Sequence, residues 1–343
     1  MRQNRPVVAA VATAASFNCL PQPGAGQIGL ARRGALHVLD MATCRDRIVG
    51  RSGSGQPRFR PGGGVGVERF HGSLVSRDLR LLATVRVTGN RKTLRNTIWV
   101  RDVRAGGARA IYSAGVWGNT SGLLSPGPIV LLGWSGDDRW VFFAIDPGGS
   151  GSIAADGLIL QVVSAAGRRP RRLGVMLTYR DYFTWCAGRL VFTGGGDRIA
   201  IHDKRLLVAT PPSWRPRSLV RSTGRSWGSL ACAPGGRSLV VQSQASSTDA
   251  NFFHTHWALW QVGLNGSQRQ LTHPPAGFAD ESPRFARDGH ELLFVRSRKG
   301  IGKLYLRRGQ MLRGPLLSLG YSLGFYGHQD WWQSMDWSLA APR

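Results

Sequence analysis

The chain has 343 residues, with 45 Lys and Arg against 19 Asp and Glu, and a formal net charge of +26 at pH 7. Hydrophobic residues make up 42%, enough to build a core, which excludes an intrinsically disordered polycation. No run of about 18 apolar residues occurs, so no hydrophobic helix could span a membrane.

The charge is almost all arginine: Lys92, Lys204, Lys299 and Lys303 are the only lysines. Residues 1–171 hold 23 basic and 9 acidic side chains (23 − 9 = +14), and the remainder 22 and 10 (22 − 10 = +12). The densest cluster is Arg168-Arg169-Pro170-Arg171-Arg172. A nucleic-acid-binding protein concentrates charge in an arm, a stripe or a helix face. The even spread predicts solvated strand faces and non-specific attraction for anionic polymers rather than aimed recognition.

In chain order, the first segment joins Arg2 and Arg5 to a short apolar stretch, Val7 to Ala15, with Ala12-Thr13-Ala14 as a small-residue cleavage pattern. Residues 1–26 are expected to form a leader and linker with a signal-peptide pattern, which places the protein in the periplasm or outside the cell; a plain unstructured leader is the alternative. Ile28–Ala31, Ala35–Asp40 and Arg47–Val49 then read as three strands. Farther on, apolar runs rich in β-branched and aromatic residues replace any helical period: Trp140–Ala144, Leu158–Val163, Leu239–Val241 and Leu292–Val295. Glycine-bearing turns separate the strands and give the chain 46 Gly and 18 Pro, the pattern of an all-β fold.

The strands repeat as a unit, clearest from Gln270 to Leu306: a closing Gln-Leu-Thr, an acidic pair, a Pro-x-aromatic strand, an Asp-Gly turn, an apolar strand, a basic loop and a final Leu-Tyr-Leu strand. The turn slot recurs at Val75–Leu79, Trp134–Asp138, Trp185–Gly188, Ala231–Gly236 and Phe285–Gly289. This grammar resembles the TolB-type β-propeller repeat. The resemblance covers roughly residues 27–340, and residues 27–343 are expected to form one domain. The partial copy at the N-terminus lacks its first strand, which Asp336-Trp337-Ser338 would supply. The implied fold is all-β, a six-bladed propeller of four-stranded blades, closed by the C-terminal strand completing blade one.

Cys19, Cys44, Cys186 and Cys232 contain no Cys-x-x-Cys spacing, so a zinc knuckle is absent. The repeat register favours pairing Cys19 with Cys44 and Cys186 with Cys232, because Cys186 and Cys232 share the turn slot of neighbouring blades; four unpaired core thiols are the alternative. Gly320-Tyr321-Ser322-Leu323-Gly324 matches a nucleophile elbow in letters only. It lacks the following helix and the acid-then-histidine order that a hydrolase needs. His254 and His256 would share a strand face, but no third metal ligand can be assigned. Asn119 and Asn265 begin formal glycosylation sequons.

The segments preceding each innermost strand should ring one mouth of the central channel. They contribute Glu68, Arg69 and His71; Arg180, Asp181 and Tyr182; Arg225 and Trp227; Asp280 and Glu281; and Asp330, Trp331 and Trp332. Carboxylates, arginines and aromatics converging on one rim suit a binding surface. Trp134, Trp185 and Trp337 occupy the repeat slot and are assigned to packing between blades, whereas Trp117, Trp214, Trp227, Trp331 and Trp332 fall in expected loops, as candidates for exposed contact. The expected function is a non-catalytic, monomeric scaffold outside the cytoplasm, without cofactor, that binds a protein partner or ligand at this rim. A channel-centred metal-dependent hydrolase or lyase is the alternative, and non-specific binding of anionic polymers is a third.

Overall fold

The computed structural model describes residues 19, 21, 27–32, 35–51, 74–76, 78–88, 95–114, 116–118, 124–126, 129–146, 155–221, 224–248, 255–285, 290–322, 326–329, 331 and 335–336. Blade one contains β1 (Gln27–Arg32), β2 (Ala35–Asp40) and β3 (Arg45–Arg51). Blade two follows with β4 (Leu74–Val75), β5 (Leu81–Thr88), β6 (Arg95–Asp102) and β7 (Ala108–Ala114). The short strands β8 (Val116–Gly118) and β9 (Leu124–Pro126) form a separate pair. Blade three is β10 (Ile129–Trp134), β11 (Trp140–Ile145), β12 (Gly157–Ser164) and β13 (Arg171–Leu177). Blade four is β14 (Phe183–Cys186), β15 (Arg189–Gly194), β16 (Arg205–Ala209) and β17 (Arg217–Ser218). Blade five is β18 (Arg225–Cys232), β19 (Ser238–Ala245), β20 (Ala258–Gly263) and β21 (Gln268–Gln270). Blade six is β22 (Ala279–Phe285), β23 (Glu291–Arg298), β24 (Ile301–Arg308) and β25 (Met311–Tyr321). Finally β26 (Met335–Asp336) pairs antiparallel with β1, placing Asp336 opposite Gly29 and Met335 opposite Leu30.

Each of the six sheets has four antiparallel strands, adjacent in space in the order in which they occur in the chain, except that β26 joins the first. Contacts between β4 and β10, β14 and β18, and β18 and β22 bring the first strands of successive sheets together, so these strands line the axis. The side-chain pattern follows from this layout. The second strand of a blade is covered on both faces by its neighbours, and β15, β19 and β23 are buried almost continuously. The third strand β24 lies farther out and alternates, with Gly302, Leu304 and Leu306 buried and Ile301 and Lys303 exposed.

The repeated turn has a specific chemistry. Ser76 Oγ donates to Asp78 Oδ1 at 2.6 Å and accepts from Leu81 N at 2.8 Å. Ser135 Oγ does the same with Asp137 at 2.5 Å and Trp140 N at 3.0 Å. Three residues after the serine the backbone turns left-handed, with φ 60° at Leu79 and 55° at Asp138. Gly236 adopts φ 66° in the corresponding turn of blade five, without the steric cost of a Cβ. In blade five Ala233 holds that serine's place, its N donating to Ser238 O at 2.9 Å, and Cys232 stands just before it. In blade four Cys186 ends β14, and Cys186 and Cys232 are disulfide-bonded with Cα atoms 5.5 Å apart. Cys19 and Cys44 are bonded with Cα atoms 5.8 Å apart. Both pairs are those favoured by the repeat register.

Candidate functional site

The inner strands all run the same way, so each has a leading end, where the preceding segment arrives, and a trailing end, which in blades two and three carries the Ser-x-Asp turn. At the leading end of β14, Arg180–Tyr182 form a single 3₁₀ turn that carries Asp181 and Tyr182 inward, leaving Arg180 exposed. Asp181 is 2% exposed. Its Oδ2 accepts from Ser229 Oγ of the next blade at 2.5 Å, and its Oδ1 lies 3.3 Å from His328 Nε2. Burial raises the Asp181 carboxyl pKa, but His328, Arg284 and Ser229 together outweigh that and hold it below its ordinary value. The His328 ring sits 3.8 Å from that of Tyr179 and meets Tyr182 edge-on at 4.9 Å.

At the leading end of β22 two more carboxylates are committed inside the protein. Asp280, fully buried, receives Arg296 Nε at 2.6 Å and Nη2 at 2.8 Å in a two-pronged ion pair. The same guanidinium lies over the ring of Tyr305 at 5.2 Å. Glu281 Oε2 accepts from Ser297 Oγ at 2.9 Å and from Trp331 Nε1 at 3.0 Å. Burial of Glu281 nevertheless raises its carboxyl pKa above the usual range. Tyr182 Oη and Ser282 Oγ are buried with no hydrogen-bond partner among the described residues. Burial drives the Tyr182 phenol well above its ordinary pKa, and Tyr179, Asp181 and Glu281 add to the effect.

The segment after β25 ties this cluster together as a strap. Tyr326 O accepts from Ala200 N at 2.8 Å, and Gly327 O accepts from Trp257 Nε1 at 3.4 Å. His328 then reaches Asp181, and Trp331 reaches Glu281 while packing closely against Gly302. A Cβ at Gly302 would fall 2.4 Å from Trp331 Cη2, so only glycine admits the indole. The strap thus bonds to blades four, five and six before β26 joins blade one.

The leading-end residues expected from sequence therefore divide. Asp181, Tyr182, Trp227, Asp280, Glu281 and Trp331 are buried, whereas Arg180 is exposed and Arg225 half-buried. Arg225 donates through Nε to Ser243 Oγ at 3.0 Å and stacks on Trp260 at 4.2 Å. Glu68, Arg69, His71, Asp330 and Trp332 lie outside the described residues, as does His254. His256 is exposed, and among the described residues no group of three His, Cys, Asp or Glu could hold a metal. The expectation of exposure fails for Trp214, Trp227 and Trp331, at 2%, 2% and 1%. Trp227 is inside β18 rather than in a loop, Trp214 packs on Trp140 and Phe142, and the strap carries Trp331 inward.

His328 belongs to the closing segment, His328 to Trp332, that the repeat register places at this rim. The group that the sequence did not single out as a site residue is Lys204, fully buried, whose Nζ donates to the carbonyls of Asp197, Ile199 and His202, each at 2.8 Å. Burial lowers its pKa to about 8. The available signal was the residue type: in a chain that uses arginine almost everywhere, one of four lysines marks a place that needs a compact, three-donor ammonium.

Six four-stranded antiparallel sheets around one axis, with a polar cluster at one mouth, define a six-bladed β-propeller. No protein-family model and no curated protein matches the sequence. Solved structures similar to it include TolB from Acinetobacter baumannii (14% identity over 83% of this chain, TM-score 0.42), of which the chain spans 61%. They also include a putative TolB from Agrobacterium tumefaciens (13%, 87% of this chain and 92% of that one, TM-score 0.46). An oligogalacturonate lyase from Vibrio parahaemolyticus is similar at 12%, over 82% of this chain and 74% of that one, with TM-score 0.45. At such values the propeller assignment rests on the chain's own sheet order.

Proposed function

We propose that the protein is a non-catalytic scaffold outside the cytoplasm that binds an acidic protein surface at the leading-end rim. The observation that carries this reading is the commitment of the inner-strand carboxylates. Asp181, Asp280 and Glu281 are at most 2% exposed and bonded to Ser229, Arg296, Ser297 and Trp331. An acid–base pair must reach its substrate; these groups instead brace neighbouring blades and the strap, leaving a rigid rim from which Arg180 and Arg221 project. Two disulfides support a location outside the reducing cytoplasm. With a net charge of +26, the surface also attracts anionic polymers, a background that falls steeply with salt.

The test compares capture of partners from envelope extract by wild type, by the double variant Arg180→Glu/Arg221→Glu, and by Arg168→Glu/Arg169→Glu at the trailing end. Capture lost only in the first variant supports the rim; equal capture by all three removes it.

A further inference from the structure

A second site lies at the other mouth of the channel. The trailing ends of the inner strands of blades two, three and four border a recess of about 380 Å³, open to solvent on one side and lined by Leu74, Trp134, Ser135, Thr184 and Trp185 with Gly133 and Gly136. The volume falls within the range of small-molecule pockets, about 300–1,000 Å³. None of Tyr179, Asp181, Tyr182 and His328 lines it, so the cavity is separate from the Asp181–His328 cluster.

Its chemistry is unlike the rest of the surface. No charged side chain lines it, although the chain carries a net charge of +26. An anion would find no guanidinium fork here and would give up hydration for nothing. Both indoles are held in place before any ligand arrives. Trp134 Nε1 donates to Leu74 O at 3.0 Å, and Trp185 packs near Trp214 and Phe142 with ring centroids at 6.2 and 6.3 Å. Gly136 makes room for that ring, because a Cβ there would fall 2.3 Å from Trp185 Cδ1. Fixed aromatic faces lose little entropy on binding. The hydroxyl of Thr184 and the backbone of two glycines add polar groups beside the indoles, whereas Ser135 Oγ is already spent on Asp137 and Trp140 N. An apolar peptide would leave those groups without partners, at a cost. A pyranose ring offers an apolar C–H face to an indole and a rim of hydroxyls to the polar groups.

We propose that this cavity is a binding site for a neutral sugar unit. The site is independent of the leading-end rim and does not depend on the reading given for it.

The test titrates the intact protein with cellobiose, maltose and chitobiose, following tryptophan fluorescence and heat. Digalacturonate and a proline-rich peptide serve as charged and peptidic comparisons. The expected result is binding of at least one neutral disaccharide with Kd near or below about 1 mM. Trp185→Phe and Thr184→Val should weaken it by about tenfold, with melting temperatures near wild type, and Arg180→Glu should leave it unchanged. No neutral disaccharide binding by about 10 mM overturns the proposal. Preference for the peptide or for digalacturonate, or binding indifferent to both cavity variants, overturns it too.

Discussion

Replacing His328 with leucine tests whether the strap is held by charge or merely rests on the channel mouth. The substitution keeps an apolar side chain between Tyr179 and Tyr182 but removes the nitrogen 3.3 Å from Asp181 Oδ1. Asp181 retains Ser229 on its other oxygen, so with the imidazole protonated the loss is that of one partner from a buried ion pair, about 3–5 kcal/mol. With an unfolding entropy of about 2.1 cal/mol/K per residue, the 343-residue chain has about 0.7 kcal/mol/K, which makes the expected fall in Tm about 4–7 °C. Urea titration of wild type, His328→Leu, Asp181→Asn and the double variant should give a coupling energy above about 1 kcal/mol. The pH dependence has a definite sign. The folded-state carboxyl of Asp181 is held below 3.8, so its stabilisation is in place above that pH and is lost as the pH falls through the folded value. A charged tie also needs the imidazole protonated, so the gap between wild type and His328→Leu should close in acid as Asp181 takes up its proton and shrink again towards alkaline pH as the imidazole gives its proton up. Additive single variants, or a gap that does not change with pH, would show that the imidazole is packing material rather than a charged tie.

The raised pKa of Glu281 means that the folded state holds its proton above pH 4.5, so wild-type stability should fall as the pH rises through the folded value. Urea midpoints of Glu281→Gln should lack that slope, and an identical slope would assign it elsewhere. Lys204 has the opposite sign: with a folded pKa of about 8 against 10.5, the unfolded chain binds more protons between those values, and stability should rise with pH across that window. Lys204→Met should abolish the rise and cost at least about 1–3 kcal/mol through the carbonyls left unserved. It should also speed hydrogen exchange at residues 197–203, and protection equal to wild type would contradict the clamp. Removing the Cys186–Cys232 bridge, with its 46-residue separation, should cost about 4 kcal/mol by loop entropy and lower Tm by about 6 °C in calorimetry. A fall below about 1 °C would mean that the blades alone fix that contact.

The repeat was readable because its information is local. Alternation along β24 and the Ser-x-Asp turns are visible in short windows, and the turn register favoured Cys186 beside Cys232 from the sequence alone. The leading-end site was only half readable. Asp181, Asp280 and Glu281 were located by that register, but their burial depends on a strap arriving from more than 40 residues beyond Glu281 (326 − 281 = 45). No local pattern distinguishes a tryptophan facing solvent from one laid on Gly302. The same holds for Trp134 and Trp185: their slot predicts packing between blades, and only the arrangement of three blades shows that they also border a cavity. Lys204 was hidden for another reason, since its partners are backbone carbonyls and leave no side-chain signature.

The pairing of Leu30 with Met335 spans 305 positions (335 − 30 = 305). A ribosome working at about 5–20 residues per second needs roughly 15–60 seconds to deliver the second partner after the first. Throughout that interval one side of β1 has no neighbour from β26, and blades four to six stand without the strap that ties them together. The contacts that lock the molecule can thus form only after the other strands of all six blades have been made.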